Sequence, residues 1–314
     1  MTKTFDYDVL IVGGGAAGLT AAIYASRYNL KVIVVSFDFG GQILETGDIE
    51  NWPGIKKISG HELSHSYEAH AKELGARLVH GTVTNITPEE IGFVADVDSG
   101  ELKRLSVKAV ILCAGAKHRK LGIKGEHELA GRGVSYCATC DAPFFRDKVV
   151  AVAGGGDSAV NGAVDLASNA SKVYLIHRRK EFRAKPAYVD LARKNERIES
   201  ILDTNVIEAR GEGKLEEIVL DKPFDGQDVL RVDGLFIEIG FMPETTLSKG
   251  LGLKYDENGY IIIGKDQSTN VPGVFAAGDI TNGSNRFAQL VTAASEGSIA
   301  AEGAFRYIQS LNCY

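Results

Sequence analysis

Residues 7–36, YDVLIVGGGAAGLTAAIYASRYNLKVIVVS, decide the fold. An apolar run enters a glycine turn, apolar residues then recur at helical spacing, and a second apolar run follows. That order predicts strand, tight turn, helix and strand. Gly13, Gly15 and Gly18 fit G-x-G-x-x-G. The first glycine permits the turn. The second lets a pyrophosphate approach the backbone at the helix N-terminus, where free N–H groups and the dipole attract anions. Residues 148–179, KVVAVAGGGDSAVNGAVDLASNASKVYLIHRR, repeat the pattern. Gly154, Gly156 and Ala159 stand 141 residues after Gly13, Gly15 and Gly18, and His177 stands 141 after Ser36. One such motif is weak evidence; two in register, each between strands, predict two dinucleotide sites.

The ends of the second strands set the choice of nucleotide. A site for NAD usually places an acid there to hold the ribose hydroxyls. The second repeat offers His177, Arg178 and Arg179, with Arg183 one turn on. Read as cations, these suit the extra 2′-phosphate of NADP, which arginine grips with two parallel hydrogen bonds. The competing reading is a solvated basic face. In the first repeat the position is Ser36, a departure from the acid.

The rest of the chain fits two nucleotide units. Its 314 residues, 44% hydrophobic and 24% charged, suit a soluble globular protein of two domains. A net charge of −6 argues against a nucleic-acid partner. The N-terminal apolar run is too short to span a membrane and carries no cleavage signal, so a cytoplasmic protein without a membrane partner is expected. Residues 60–75 read as a helix, 77–114 and 198–240 as short strands, 271–280 as a strand ending in Gly278-Asp279, and 287–311 as a long helix rich in small residues. The expected architecture is α/β. Two Rossmann-like three-layer domains are predicted, residues 116–240 being inserted between 1–115 and 241–314.

Four cysteines are too few for a secreted disulfide framework. Cys137 and Cys140 form a C-x-x-C pair followed at once by Asp141, within SYCATCDAPFF at 135–145. Such a pair can close a disulfide or supply half of a zinc site. Zinc needs two more ligands, and the chain has no second C-x-x-C and no C-x-x-H, so no metal is expected. Cys113, in an apolar strand, reads as a buried hydrophobe, and Cys313 as part of a frayed end. Asp141 is a candidate general acid; helix cap and surface aspartate are its alternatives. His118, in KHRK at 117–120, reads as part of a solvated basic turn, and His61, His65 and His70 as structural.

The chain resembles the low-molecular-weight thioredoxin reductase family of flavoprotein disulfide reductases. The likeness runs from Val9 to the last helix and rests on GGGAAG at 13–18, GGQ at 40–42, ENWPG at 50–54, CATCD at 137–141, GGGDSA at 154–159, HRRKEFR at 177–183, AAGD at 276–279 and QLVTAA at 289–294. The redox pair stands just before the second glycine loop, the order of this family. The resemblance implies FAD in the first unit, on Gly13, Gly15, Ala16, Ala17 and Gly18, with Ser36, Gly41, Gln42, Asn51, Val83 and Gly115. Gly278, Asp279, Gln289 and Leu290 complete that set, Asp279 on the ribityl chain and Gln289 by the isoalloxazine. Relatives often carry Arg directly before that Gln; here the residue is Ala288. It implies NADPH in the second unit, on Gly154, Gly156, Asp157, Ser158 and Ala159, with His177, Arg178, Arg179 and Arg183 at the phosphate. Electrons would pass from NADPH through FAD to Cys137–Cys140, Cys140 facing the flavin and Cys137 attacking the disulfide of thioredoxin or a thioredoxin/glutaredoxin-like protein. A homodimer, and a rotation of one domain against the other about Gly115 and Gly240, are also implied. A relative with a ferredoxin-like donor or another acceptor, and a flavin redox sensor, are the competing readings.

Overall fold

A computed structural model describes residues 4–44 and 48–311. The chain forms two compact units, Met1–Lys117 with Met242–Tyr314, and His118–Phe241.

In the first unit Tyr7–Gly14, Val32–Phe39, Arg77–His80 and Arg104–Leu112 run parallel, with Val274–Ala276 also parallel to Arg104–Leu112. Phe93–Asp98 and Thr82–Pro88 extend the sheet antiparallel, making seven strands. Strands covered on both faces read as continuous Val, Ile and Leu rather than as an alternation. Accordingly Val9, Ile11, Val32 and Val34 join one core with helices Ala16–Arg27 and Leu290–Leu311, while Leu10, Val12, Ile33 and Val35 join another with Phe93, Val107, Leu251 and Leu253. The two helices lie so close that a Cβ on Gly297 would strike the Ala17 backbone, which is why small residues line them. Helix Gly60–Glu73 starts on a reciprocal cap: Ser59 Oγ accepts the Glu62 N–H and Glu62 Oε2 accepts the Ser59 N–H.

The second unit has a five-stranded parallel sheet in the order Val134–Ser135, Gly234–Ile237, Val149–Ala153, Lys172–His177, Ile198–Leu202. Val150, Val152, Val173 and Leu175 pack on helix Asp157–Ala167. Ala151, Ala153 and Ile176 pack on the three-stranded antiparallel sheet of Val206–Arg210, Glu217–Phe224 and Gln227–Arg231. Each unit is therefore Rossmann-like, and the second is inserted in the chain of the first.

Two elements are shorter than the pattern predicts. The last helix begins at Leu290 and not at 287: Phe287 takes φ −79° and ψ 85°, outside the helical region, and Thr292 Oγ1 accepts the Gln289 N–H while donating to Phe287 O. The strand expected over 271–280 shrinks to Val274–Ala276, since turns close on both sides: the Val274 N–H donates to Val271 O, and the Thr281 N–H to Gly278 O. Cys313 lies outside the described residues. Among the described residues, no helix is long and apolar enough to cross a membrane.

Candidate redox and nucleotide-binding sites

The first glycine loop assigns each glycine a separate task. Gly13 has φ +107°, and a Cβ there would strike the carbonyl oxygen of Cys113. A Cβ on Gly18 would strike the carbonyl of Gly13, so the helix sits directly on the turn. At Gly15, which caps helix Ala16–Arg27, the nearest atom to an added Cβ is 3.8 Å away. That opening over free helix N–H groups is the shape a pyrophosphate needs. Ser36 Oγ accepts the Gly14 N–H at 2.9 Å, and Asp38 Oδ1 accepts the Gly41 N–H at 2.9 Å, so the polar groups at this strand end brace the loop.

Around this loop the unit gathers several expected cofactor residues. Gln42 Nε2 donates to Asp279 Oδ2 at 3.2 Å and to Ala116 O at 2.8 Å. Asn51 Nδ2 donates to Gln289 Oε1 at 3.2 Å. Ala17 and Gly278 nearly touch, a Cβ on Gly278 coming 3.0 Å from that of Ala17. Leu290 packs with Ala16 and Ile43. Burial pushes the Asp279 carboxyl up to about 6, with the Glu296 carboxylate adding to the rise and Gln42 opposing it. Glu296 itself accepts from the Gly278 N–H, Thr281 Oγ1 and Ser284 Oγ, and so fixes the loop that carries Asp279. Val83 is buried in the sheet core, and Gly115 takes φ +69°. Arg286 lies over the Tyr260 ring, 6.0 Å from its centroid, and not in place of the arginine missing at Ala288.

The second loop repeats the plan. A Cβ on Gly154 would strike Glu238 O, Ala159 is fully buried beneath the turn, and Gly156 has nothing within 4 Å of an added Cβ. Asp157 begins the helix, its Oδ1 accepting the Lys185 N–H at 2.8 Å, and Ser158 is exposed. Arg178, Arg179 and Arg183 are exposed and make no ion pair among the described residues. His177 departs from the cationic reading. It is 5% exposed, its ring fills the space beside Gly155 and stacks on Phe182, and burial together with Arg183, Arg179 and Arg178 pushes its pKa down. Burial thus disfavours its charge in the free protein, while Arg178, Arg179 and Arg183 stand exposed.

Cys137 and Cys140 are joined as a disulfide with Cα atoms 5.3 Å apart, across the short helix Ala138–Asp141. Cys137 caps that helix and Asp141 is its last residue; Asp141 also stands at the N-cap position of the 3-10 helix Ala142–Phe145, where its side chain makes no capping hydrogen bond. The Asp141 carboxyl is pushed up by burial, and Ser135 Oγ donates to its Oδ2 at 2.6 Å. The same Ser135 oxygen accepts the Cys137 N–H at 3.1 Å. On the other side Glu238 Oε1 accepts the Ala138 N–H at 3.0 Å, and burial pushes this carboxyl up to about 7. Ser135 and Glu238 are functional candidates absent from the sequence motifs. Ser135 was legible as the hydroxyl two residues before the first cysteine, whereas Glu238 stands 100 residues away from its partner.

Cys113 is buried, and burial and the Glu296 carboxylate push its thiol up, leaving it inert. His118 is not solvated: its ring lies against Phe241 and Tyr136, with centroids 4.3 and 5.2 Å away, and burial pushes it down to about 4. Of the KHRK run, Lys117, Arg119 and Lys120 are the exposed cations.

Comparison with known proteins agrees with this geometry. Residues 7–297 match the model of the pyridine nucleotide-disulphide oxidoreductases. Thioredoxin reductase of Bacillus subtilis (strain 168) is 42% identical over 314 residues, covering 99% of this chain and 98% of the relative. That of Listeria innocua is 40% identical, covering 97% and 95%. The crystal structure of thioredoxin reductase from Streptococcus pyogenes superposes with a TM-score of 0.88 at 38% identity, covering 97% of this chain and 98% of that one. The chain belongs to the thioredoxin reductases within the pyridine nucleotide-disulphide oxidoreductase family, enzymes that use FAD and NADPH.

Proposed function

We propose that the protein is an NADPH-dependent thioredoxin-disulfide reductase. The observation that carries this reading is the disulfide itself, half-buried between Asp141, whose carboxyl burial pushes up, and a second acid, Glu238, in the unit that also holds the second glycine loop and its arginines. In this reading residues 1–115 and 241–314 hold FAD, through the opening at Gly15 with Gln42, Asn51, Asp279 and Gln289. Residues 116–240 hold NADPH, through the opening at Gly156 with Arg178, Arg179 and Arg183 on the phosphate. Bound FAD supplies the two-electron link between a nicotinamide and a disulfide.

The chain's own residues then carry the exchange. The reduced Cys137 thiolate attacks one sulfur of the thioredoxin disulfide, whose other sulfur leaves and takes the Asp141 proton. Cys140 then gives its proton to the Asp141 carboxylate just formed and, as a thiolate, attacks Cys137 Sγ, closing the pair and releasing the second thioredoxin sulfur as a thiolate. Ser135 orients Asp141 while holding the Cys137 backbone. A reducing cytoplasm is the compartment where such a pair turns over, and a homodimer is the commonest closed assembly.

The test is NADPH-driven reduction of oxidised thioredoxin, followed by counting the thiols formed. FAD-loaded protein is expected to reduce thioredoxin continuously, and Cys137→Ser or Cys140→Ser to stop it while NADPH still bleaches the flavin. Bleaching without thioredoxin thiols in the unaltered protein would overturn the acceptor. Equal turnover in Cys140→Ser would overturn the role of the pair.

A further inference from the structure

Glu238 touches both chemical elements of the second unit. Its backbone N–H donates to Ala153 O at 2.9 Å, and its carbonyl takes the space that a side chain on Gly154 would need. Its side chain reaches into the redox turn, Oε1 accepting the Ala138 N–H between the two cysteines. Helix Asp157–Ala167 keeps this contact clear: a Cβ on Gly162 would lie 2.9 Å from that of Ala138 and 3.8 Å from Glu238 Oε1. Two further carboxylates face the turn. Asp141 ends it, and Asp165 on that helix accepts Thr139 Oγ1 at 3.4 Å. Asp157, at the start of the helix, is engaged with Lys185 instead.

We propose that Glu238 is a positioning residue for the redox pair: it holds the Cys137–Cys140 turn through the Ala138 N–H, and its charge sets how readily the disulfide is reduced. This rests on the reading of Cys137–Cys140 as the working redox pair. When the pair opens, two electrons enter the S–S bond. At neutral pH one sulfur takes a proton and the other remains a thiolate. An ionised Glu238 beside the turn opposes that new negative charge, and a protonated one does not. Burial, the Asp165 carboxylate and the opposing Ala138 bond place the change near pH 7.

The experiment equilibrates FAD-loaded protein with mixtures of reduced and oxidised dithiothreitol, then alkylates and maps the peptide that carries Cys137 and Cys140. Two S–H bonds of the reagent break and its sulfurs join as the protein disulfide opens, so the balance is complete without nucleotide or thioredoxin. Glu238→Gln keeps an oxygen that can accept the Ala138 N–H and removes the charge. At pH 8 it is expected to move the dithiol–disulfide equilibrium about tenfold toward the dithiol, about 30 mV less negative. At pH 6, where Glu238 already holds its proton, the two proteins are expected to agree within about twofold. Asp141 and Asp165 are present in both proteins, and repeating the comparison with Asp165→Asn in each removes the carboxylate that is coupled to Glu238. Glu238→Ala loses the bond as well and is expected to shift the midpoint at both pH values. Equal midpoints for Glu238→Gln and the unaltered protein at pH 8, or a difference independent of pH, would overturn the proposal. A pair that never closes at any reagent ratio would overturn the redox reading beneath it.

Discussion

Cys113 and Glu238 occupy the same place in the two units. Each follows a strand parallel to the one that enters the glycine loop, and each N–H donates to that strand, to Val12 O at 2.7 Å and to Ala153 O at 2.9 Å. Val12 and Ala153 stand 141 residues apart, as the glycines do. Each carbonyl then fills the space that a side chain on the first glycine would need. The backbone duty is the same; the side chains differ. Cys113 is sealed in a core, while Glu238 reaches the redox turn. A nucleotide loop therefore fixes the main chain around it and leaves the side chain at this position free to take on other chemistry.

The sharpest break in the comparison comes at the third loop position. Gly18 sits directly on the Gly13 carbonyl, whereas Ala159 carries a methyl at the matching site. Gly18→Ala is expected to lower stability by about 3 kcal/mol, the upper range for forcing a carbon into a filled site. Ala159→Gly is expected to cost about 1 kcal/mol, mostly helix propensity. Urea midpoints of the two variants measure both. Equal losses would mean that the second loop is as tight as the first and that the alanine carries no information.

The strand ends separate the units next. In the first, Ser36 and Asp38 bond to the loop; in the second, Arg178, Arg179 and Arg183 stand exposed. Replacing one of these arginines by alanine removes a charge-assisted contact worth about 1.5–3 kcal/mol. KM for NADPH is then expected to rise about 10- to 100-fold while KM for NADH stays put. A parallel rise for both nucleotides would move the arginines away from the 2′-phosphate.

How these features could be read from sequence follows from where their physics is written. The glycine spacing records backbone collisions a few residues apart, so both loops were legible, and so was the pair with its acid. The burial of His177 against Gly155 and Phe182 is stated by no local pattern, since it depends on how the strand end packs on the glycine loop. The start of the last helix falls three residues late because Phe287 leaves the helical region and the Thr292 side chain bonds the backbone of Phe287 and Gln289, a local contest that apolar spacing does not record. Glu238 was invisible because its partner is 100 residues distant and its position is set by strand register.

Asp279 offers a smaller effect, dependent on pH. Its folded pKa, about 6, is raised above the ordinary aspartate value of 3.8. A raised acid favours the folded state while protonated and loses that advantage as pH climbs through the folded value. Protein stripped of cofactor is thus expected to lose about 1–2 kcal/mol from this group between pH 4 and pH 7, an order-of-magnitude figure discounted for relaxation. Asp279→Asn should flatten that part of the stability–pH curve, measured by urea unfolding of the stripped protein. An unchanged curve would mean that the carboxyl is not strained in the empty pocket.

The mildest change returns to the matched pair. Cys113→Ala keeps the carbonyl that meets Gly13 and removes only a buried sulfur. The cost is expected at about 1 kcal/mol, within the ordinary range for point changes, with NADPH-driven turnover unchanged. The raised thiol pKa and burial also predict that alkylating reagents reach Cys113 only on unfolding, while the reduced Cys137–Cys140 pair reacts in the native protein. Peptide mapping after brief alkylation separates the two. If Cys113→Ala altered turnover as much as Glu238→Ala altered the redox midpoint, the side chain at this position would be active in both units, and the contrast drawn between them would fail. A silent Cys113 beside a sensitive Glu238 would instead show one backbone position serving two glycine loops, with redox control added in only one of them.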